Sequence, residues 1–352
     1  MKVQKLKTPA LTIEAINTLF APLSKARGIL LAVSGGPDST ALLLMAAIWS
    51  RGSGRPKAEV ATVDHAMRPG ARAEAEAVGA LSQRLGFTHR ILEWHGEKPR
   101  TRIQERAREA RYSLLIDCAN SIGADFLVTA HHADDQAETI LFRLLRGSGI
   151  AGLAGMPEVA IRDGVFLARP LLGLRKADLV AFCTKHGQDF AFDPSNKDPR
   201  FARTRLRELT KILAAEGLGA AEFSRLARRA ALMEEAVRQQ TEAAAARLRW
   251  SATGRCDART LLCEPRVIAQ RLLAARIDGV VGGSDRPSNL EQMERLVEAL
   301  CFALGTTTTF RANVGGASIE LSAKGELSVV PESPRKKQGA RSLARSLGAS
   351  DT

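Results

Sequence analysis

Short apolar runs alternate with amphipathic stretches through the first half of the chain. The run Ile29-Leu30-Leu31-Ala32-Val33 predicts a strand over 29–33. Ser34-Gly35-Gly36-Pro37 stops it, and Leu42, Leu43, Leu44 and Met45 mark a helix over 38–50. The same alternation predicts strands over 58–63, 87–92 and 125–130, and helices over 71–86, 102–120 and 133–146. Repeated strand-helix units imply a parallel sheet covered on both faces, with ligands at the carboxyl ends of its strands.

Within 102–120, Ile103, Ala107, Ala110, Leu114 and Cys118 follow helical spacing and predict the core-facing stripe, with Arg102, Arg106 and Glu109 on the other side. From 222 onward Phe223, Leu226, Ala230, Met233 and Val237 recur at steps of three and four, and strand-like runs vanish until Thr306. This change predicts a second, mainly helical domain beginning near the Gly217-Leu218-Gly219 turn. Residues 306–330 read as a hairpin or strand pair turning at Gly315-Gly316 and Lys324-Gly325. The expected organisation is a first domain over 1–216, a helical domain over 217–332 and a basic, disordered tail over 333–352.

Charge changes the picture: 51 Lys and Arg against 38 Asp and Glu give a formal +13, a field suited to a polyanion such as nucleic acid. Five scattered cysteines without a Cys-x-x-Cys pair argue against a disulfide framework, a zinc knuckle and an iron–sulfur site. No apolar stretch reaches the ~20 residues of a membrane span, so the expectation is a cytoplasmic protein without a membrane partner.

Candidate chemistry centres on Ser34-Gly35-Gly36-Pro37-Asp38-Ser39, set between a strand and a helix. Two glycines let the backbone approach a ligand, and the helix start offers unpaired N–H groups for phosphate. The Lys of a Walker A loop is absent, and the G-x-G-x-x-G spacing is not met. As a bland alternative, the segment is a glycine turn capped by Ser with Pro37 at the first helical position. The segment resembles the signature of the PP-loop ATP pyrophosphatases, which implies cleavage of ATP between its α and β phosphates and a Rossmann-like α/β fold of the adenine nucleotide alpha hydrolase type. A carboxylate at Asp38 beside a pyrophosphate calls for Mg²⁺ shared between them, so Mg²⁺ is an expected cofactor with Asp38 as its ligand.

Later motifs narrow the resemblance. Val63-Asp64-His65-Ala66-Met67-Arg68, His131-His132-Ala133-Asp134-Asp135-Gln136-Ala137-Glu138-Thr139, the 107–112 segment ending in Arg111-Tyr112, and Arg146-Gly147-Ser148-Gly149 are similar to the tRNA(Ile)-lysidine synthetases. Arg169-Pro170-Leu171-Leu172, Asp193-Pro194-Ser195-Asn196 and Arg203-Thr204-Arg205 follow in family order, with Thr204 where the family usually has Asn. If 131–139 is helical throughout, His131 and Asp135 stand one turn apart and can act together. The resemblance implies ATP contacts from Ser34, Gly35, Gly36, Pro37, Asp38, Ser39, Asp64, His65, Arg111 and Arg146, and catalytic roles for Asp38, His132, Asp135 and Arg205.

The implied reaction adenylates the anticodon cytidine of a CAU-anticodon tRNA(Ile) with ATP; free L-lysine then displaces AMP. Because free lysine has a pKa near ~10.4, that step calls for a base, and the nearby carboxylate of Asp135 is the candidate. A homodimer is left open. The alternatives are another PP-loop tRNA-modifying enzyme, such as a thiolase, and a non-catalytic nucleotide-dependent RNA-binding module.

Overall fold

The structure is a computed structural model that describes residues 11–64, 70–95, 103–191, 202–282 and 290–332. His65, the 193–196 motif, the side chains of Arg203 and Thr204, and the tail over 333–352 lie outside the described residues. The chain divides into two compact units, Met1–Leu232 and Met233–Thr352.

In the first unit, α1 (Ile13–Phe20) leads to β1 (Gly28–Ala32), α2 (Pro37–Ser50), β2 (Lys57–Asp64), α3 (Ala71–Arg84) and β3 (Thr88–Glu93). Then come α4 (Ile103–Ser121), β4 (Phe126–Val128), α5 (Ala133–Leu144), α6 (Ile150–Leu153), β5 (Val159–Arg162), β6 (Val165–Ala168), α7 (Lys176–Lys185) and α8 (Ala202–Ala215). The six strands form one sheet in the order β3-β2-β1-β4-β6-β5. All neighbours pair in parallel except β5, which runs antiparallel to β6.

Alternation along β1 explains the layers. Ile29 and Leu31 face a core shared with α2 and α7, which includes Leu42, Met45, Trp49, Leu179 and Phe182. Leu30 points the other way, into a cluster with Tyr112, Leu115, Ile116 and Ala119 of α4. α2 is buried on nearly every side, which is why Leu42 to Met45 form a run rather than a stripe. The stripe expected on α4 is corrected: of Ala107, Ala110, Leu114 and Cys118 only Cys118 is buried, and Tyr112, Leu115, Ile116 and Ala119 complete the buried face. The large ring of Tyr112 and the longer apolar chains outweigh the alanines in setting the helix rotation.

The strand order reverses at β1, whose neighbours are β2 on one side and β4 on the other. In an open α/β sheet such a reversal leaves a crevice beyond the carboxyl ends of the two strands. The loops after β1 and β4 are the two segments that carry Ser34 to Ser39 and His131 to Thr139.

α9 (Ala220–Arg247) follows the Gly217–Gly219 turn and contains the division between the units. The second unit continues with β7 (Arg255–Asp257), α10 (Ala258–Leu262), α11 (Arg266–Val281), α12 (Leu290–Gly305), β8 (Phe310–Val314), β9 (Ala317–Leu321) and β10 (Glu326–Pro331). Its core joins Leu272, Leu273 and Ile277 of α11 and Leu296 and Leu300 of α12 to Ile319 and Leu327. In place of a strand pair there is a four-stranded antiparallel sheet, β7-β10-β9-β8. β7 escapes a periodicity reading because it has three residues and buries only Cys256, opposite Leu327. Among the described residues no helix is long and apolar enough to cross a membrane.

Gln136 ties α5 to the segment after α6. Its side-chain amide donates to the Met156 carbonyl at 2.9 Å and accepts from the Met156 N–H at 2.7 Å, both buried. Gln136→Leu leaves both backbone groups unpaired, at about 1–3 kcal/mol each. A urea unfolding midpoint shifted to lower concentration with an unchanged slope is the expected result.

Candidate active site

Gly35 turns the chain from β1 into α2 at φ +84°, a left-handed conformation in which a Cβ would also press to 3.3 Å from Val78. Gly36 is the N-cap of α2, Pro37 occupies the first turn, and no side chain caps this helix start. The serine-capped turn is therefore not what forms; the first N–H groups of α2 remain available to an anion. The Ser39 hydroxyl instead braces the loop, accepting from the Ser34 N–H and donating to the Gly36 carbonyl, each at 3.1 Å. The Cys183 thiol of α7 donates to the Pro37 carbonyl at 3.5 Å.

Asp38 is the meeting point of three segments. Its Oδ2 lies 3.5 Å from His132 Nε2 and 3.4 Å from Lys176 Nζ. Burial works against its charge, but the His132 hydrogen bond and the charges of His132 and Lys176 prevail and hold its pKa below the ordinary carboxylate value. Its Oδ1 is buried without a hydrogen-bond partner. An anionic oxygen left bare in this way fits a hard cation. Among the described residues no group of three or more His, Cys, Asp or Glu side chains could hold a metal alone.

His132 is the N-cap of α5, accepting the Asp135 N–H at Nδ1 (3.4 Å), while the Asp135 carboxylate accepts the His132 N–H at 3.2 Å. This reciprocal capping box fixes the imidazole between Asp38 and Asp135, whose Oδ2 is 3.5 Å from Nε2. The expectation that His131 and Asp135 pair on one helix turn is corrected. α5 begins only at Ala133, so His132 meets Asp135, and His131 bonds Thr129 Oγ1 at 2.8 Å. Asp134 Oδ2 takes the Lys176 N–H at 2.8 Å, docking the start of α7 beside the loop after β4.

The other expected residues are spread around this centre. Asp64 ends β2, buried, and its carbonyl accepts the Trp94 N–H at 3.0 Å. Arg111 stands 5.7 Å from the Tyr112 ring centre, and exposed Arg146 covers Phe142 at 4.1 Å. Arg205 is exposed on α8, whereas Arg207 reaches Glu138 at 2.8 Å. Burial, helped by the charge of Asp135, raises the Glu138 pKa above the ordinary carboxylate value against the pull of Arg207.

Two residues were not anticipated as site members. Glu138 sits in a quoted motif, and its place one turn after Asp135 was the available signal. Lys176 lies 138 positions from Asp38, and nothing local to its sequence links the two.

The PP-loop domain family model matches residues 10–213. The tRNA(Ile)-lysidine synthase of Methylobacterium nodulans is 50% identical over 316 residues, covering 88% of this chain and 92% of that protein. The protein of the same name from Bradyrhizobium sp. is 44% identical over 341 residues, covering 91% and 94%.

The chain belongs to the tRNA(Ile)-lysidine synthase family.

A solved structure of the U34-tRNA thiolase NcsA from Methanococcus maripaludis, with its [4Fe-4S] cluster, superimposes with a TM-score of 0.51 at 16% identity, covering 61% of this chain and 78% of that one. At that identity the likeness concerns the fold alone.

The charge on His132 sets a pH signature. Burial opposes protonation, but the Asp38 hydrogen bond and the charges of Asp135, Asp38 and Asp134 outweigh it and raise the pKa. A raised folded-state pKa contributes stability that is complete below the unfolded value of about 6.5 and fades as pH rises through the folded one. In the imidazolium Nδ1 is a donor, so the charged form gives up the 3.4 Å cap from the Asp135 N–H and faces Asp134 Oδ2 at 3.6 Å instead; His132→Asn removes that charge. The difference in Tm between wild type and variant should be largest below about pH 6.5 and narrow as the pH is raised above it; a gap that widens with pH would contradict the charge pairing.

Proposed function

We propose that this chain attaches free L-lysine to C2 of the wobble cytidine of a CAU-anticodon tRNA(Ile), using ATP through an adenylated cytidine and changing codon recognition from AUG to AUA. The observation that carries this reading is the convergence on Asp38: an uncapped helix start and a bare buried carboxylate oxygen at the strand-order reversal of a PP-loop fold. Family membership supplies the substrate class, and a formal +13 supplies the field for a polyanion.

In the first half-reaction the cytidine O2 attacks the α phosphate of ATP and pyrophosphate leaves. The N–H groups at the start of α2 and the open backbone at Gly36 receive the phosphates, while Ser34 and Ser39 keep the loop in shape. Asp38 would hold Mg²⁺ through its free Oδ1, and the ion would neutralise charge on the departing pyrophosphate. His132 and Lys176 keep Asp38 ionised and oriented.

In the second half-reaction the lysine amino group bonds to C2, the C2–O bond to AMP breaks, and the amine gives up a proton. Free lysine has a pKa near 10.4, so a carboxylate must take that proton. Asp135 is the assigned base. Glu138, one turn further along α5 and raised in pKa by burial, is a second carboxylate suited to proton transfer. The second unit is assigned to tRNA binding, and the protein to the cytoplasm.

ATP-dependent incorporation of labelled lysine tests the function. Unmodified CAU-anticodon tRNA(Ile) should be labelled and tRNA(Met) with the same anticodon should not, and Asp38→Ala should lower the rate by about a hundredfold or more. AMP transfer without lysine incorporation would redirect the reading to another nucleophile; neither signal would favour a binding module.

Asp135→Asn retains an oxygen to accept the His132 N–H. It should therefore spare adenylation while slowing lysine transfer. Equal loss in both half-reactions would remove Asp135 as the base.

A further inference from the structure

The face of the sheet opposite α2 carries a concentration of arginines, of which only Arg111 is an expected ATP contact. Three guanidinium groups gather on the single buried ring of Tyr112: Arg162 at 4.1 Å from its centre, Arg108 at 5.2 Å and Arg111 at 5.7 Å. Arg169, only 7% exposed, feels the charges of Arg108 and Arg162. Its Nη1 donates to the Pro157 carbonyl at 2.7 Å, and its Nε is buried with no partner. Arg143 donates to the carbonyls of Gly152 and Gly155 at 3.2 and 2.8 Å.

Among the described residues Arg108, Arg143 and Arg169 bond only a phenol and carbonyls; Arg162 is 3.8 Å from Asp163, itself 74% exposed. Burial, and then the charges of Arg108, Arg143 and Arg162, lower the pKa of Arg169 against the pull of Tyr112. Burial and the neighbouring Arg108, Arg169 and Arg111 likewise push His131 down to about 3, which leaves its imidazole neutral. A crowd of like charges with an unsatisfied buried donor is unfavourable in the protein alone and becomes favourable when an anion occupies it.

Position selects the anion. Arg169 follows the carboxyl end of β6 and His131 follows the end of β4, on the sheet edge that carries Asp38, while Arg162 stands at the other end of β6, paired with Val165, with its guanidinium over Tyr112. Arg108 and Arg111 belong to α4, on the opposite face from α2. The phosphates of ATP have their own seat at the start of α2. The RNA must bring its cytidine to the same edge, with a phosphodiester on either side of the nucleotide, and guanidinium forks suit phosphodiester oxygens. We infer that Arg108, Arg143, Arg162 and Arg169 form a second anion seat, which takes a backbone phosphodiester of the RNA beside the nucleotide being modified. This inference rests on the proposed function for the identity of the RNA.

The test uses the full chain, a CAU anticodon stem-loop RNA, and versions of it with one neutral methylphosphonate at each linkage flanking the target cytidine. Arg108 and Arg162 are only half-buried, so Arg108→Gln/Arg162→Gln should fold, and Arg162→Lys retains charge at one position. The double variant should bind RNA more weakly, with the slope of log affinity against log salt reduced by about 1, and bind ATP as the wild type does. One methylphosphonate should weaken binding to the wild type but add no loss in the double variant, and Arg162→Lys should retain most of the salt slope.

Loss of ATP affinity with an intact RNA salt slope would overturn the inference and make the cluster part of the triphosphate seat. No change in either affinity, or no RNA binding by the wild type, would also overturn it. Stem-loop binding without lysine incorporation would instead sink the proposed function, while the salt slope still decides the phosphate seat.

Discussion

The parallel pairing of β1 with β4, in a register that sets Ile29, Leu30 and Leu31 beside Phe126, Leu127 and Val128, is the constraint on which the site depends. It makes the loops that leave the two strands neighbours. One loop ends in the start of α2, the other in the start of α5, so two helix N-termini and their first-turn acids face each other across one crevice. Two carboxylates there, Asp38 and Asp135, would repel without a cation between them, and His132 fills that place with Nε2 3.5 Å from each. α7 adds the second positive group, Lys176, by docking its first N–H on Asp134.

The motif over 131–139 divides its labour along the helix. His132 and Asp135 are both cap and site, so the bonds that begin α5 also orient the groups around Asp38. Gln136 points into the protein and holds Met156, with no part in the crevice. Glu138 looks toward α8, where Leu206 is buried against Ile140 and Leu141 and thereby presents Arg207. Rigid positioning of this kind is what a reaction with two half-steps at one nucleotide requires, because each step depends on reacting atoms held in near-attack geometry.

Charge is segregated between the two faces of the sheet edge. On the α2 side the cations are matched to carboxylates and the surplus is negative at Asp38 Oδ1. On the α4 side arginines crowd around Tyr112 and Arg169 with little compensation. A metal-bearing nucleotide suits the first surface and a polyanion the second, so ATP and RNA need not compete for one seat.

Much of this was legible in the chain. The period of the apolar residues determined the strand-helix order, because burial on both faces of a parallel sheet demands continuous apolar strands. Ser34 to Ser39 marked the phosphate loop, because only glycine adopts the left-handed turn at Gly35 without strain. Other elements were out of reach of pattern. The hairpin of β5 and β6 turns at Asp163-Gly164, a local signal present but short, and β7 has too few residues to show alternation. The pairing of Lys176 with Asp38, of Arg207 with Glu138, and the gathering of Arg108, Arg143, Arg162 and Arg169 join residues from separate elements. The sequence by itself determined which segments are strands, helices and phosphate loop, since those follow from local periodicity and backbone sterics. Only the tertiary structure decided which charges meet, because strand order and helix rotation set the distances over which charges act.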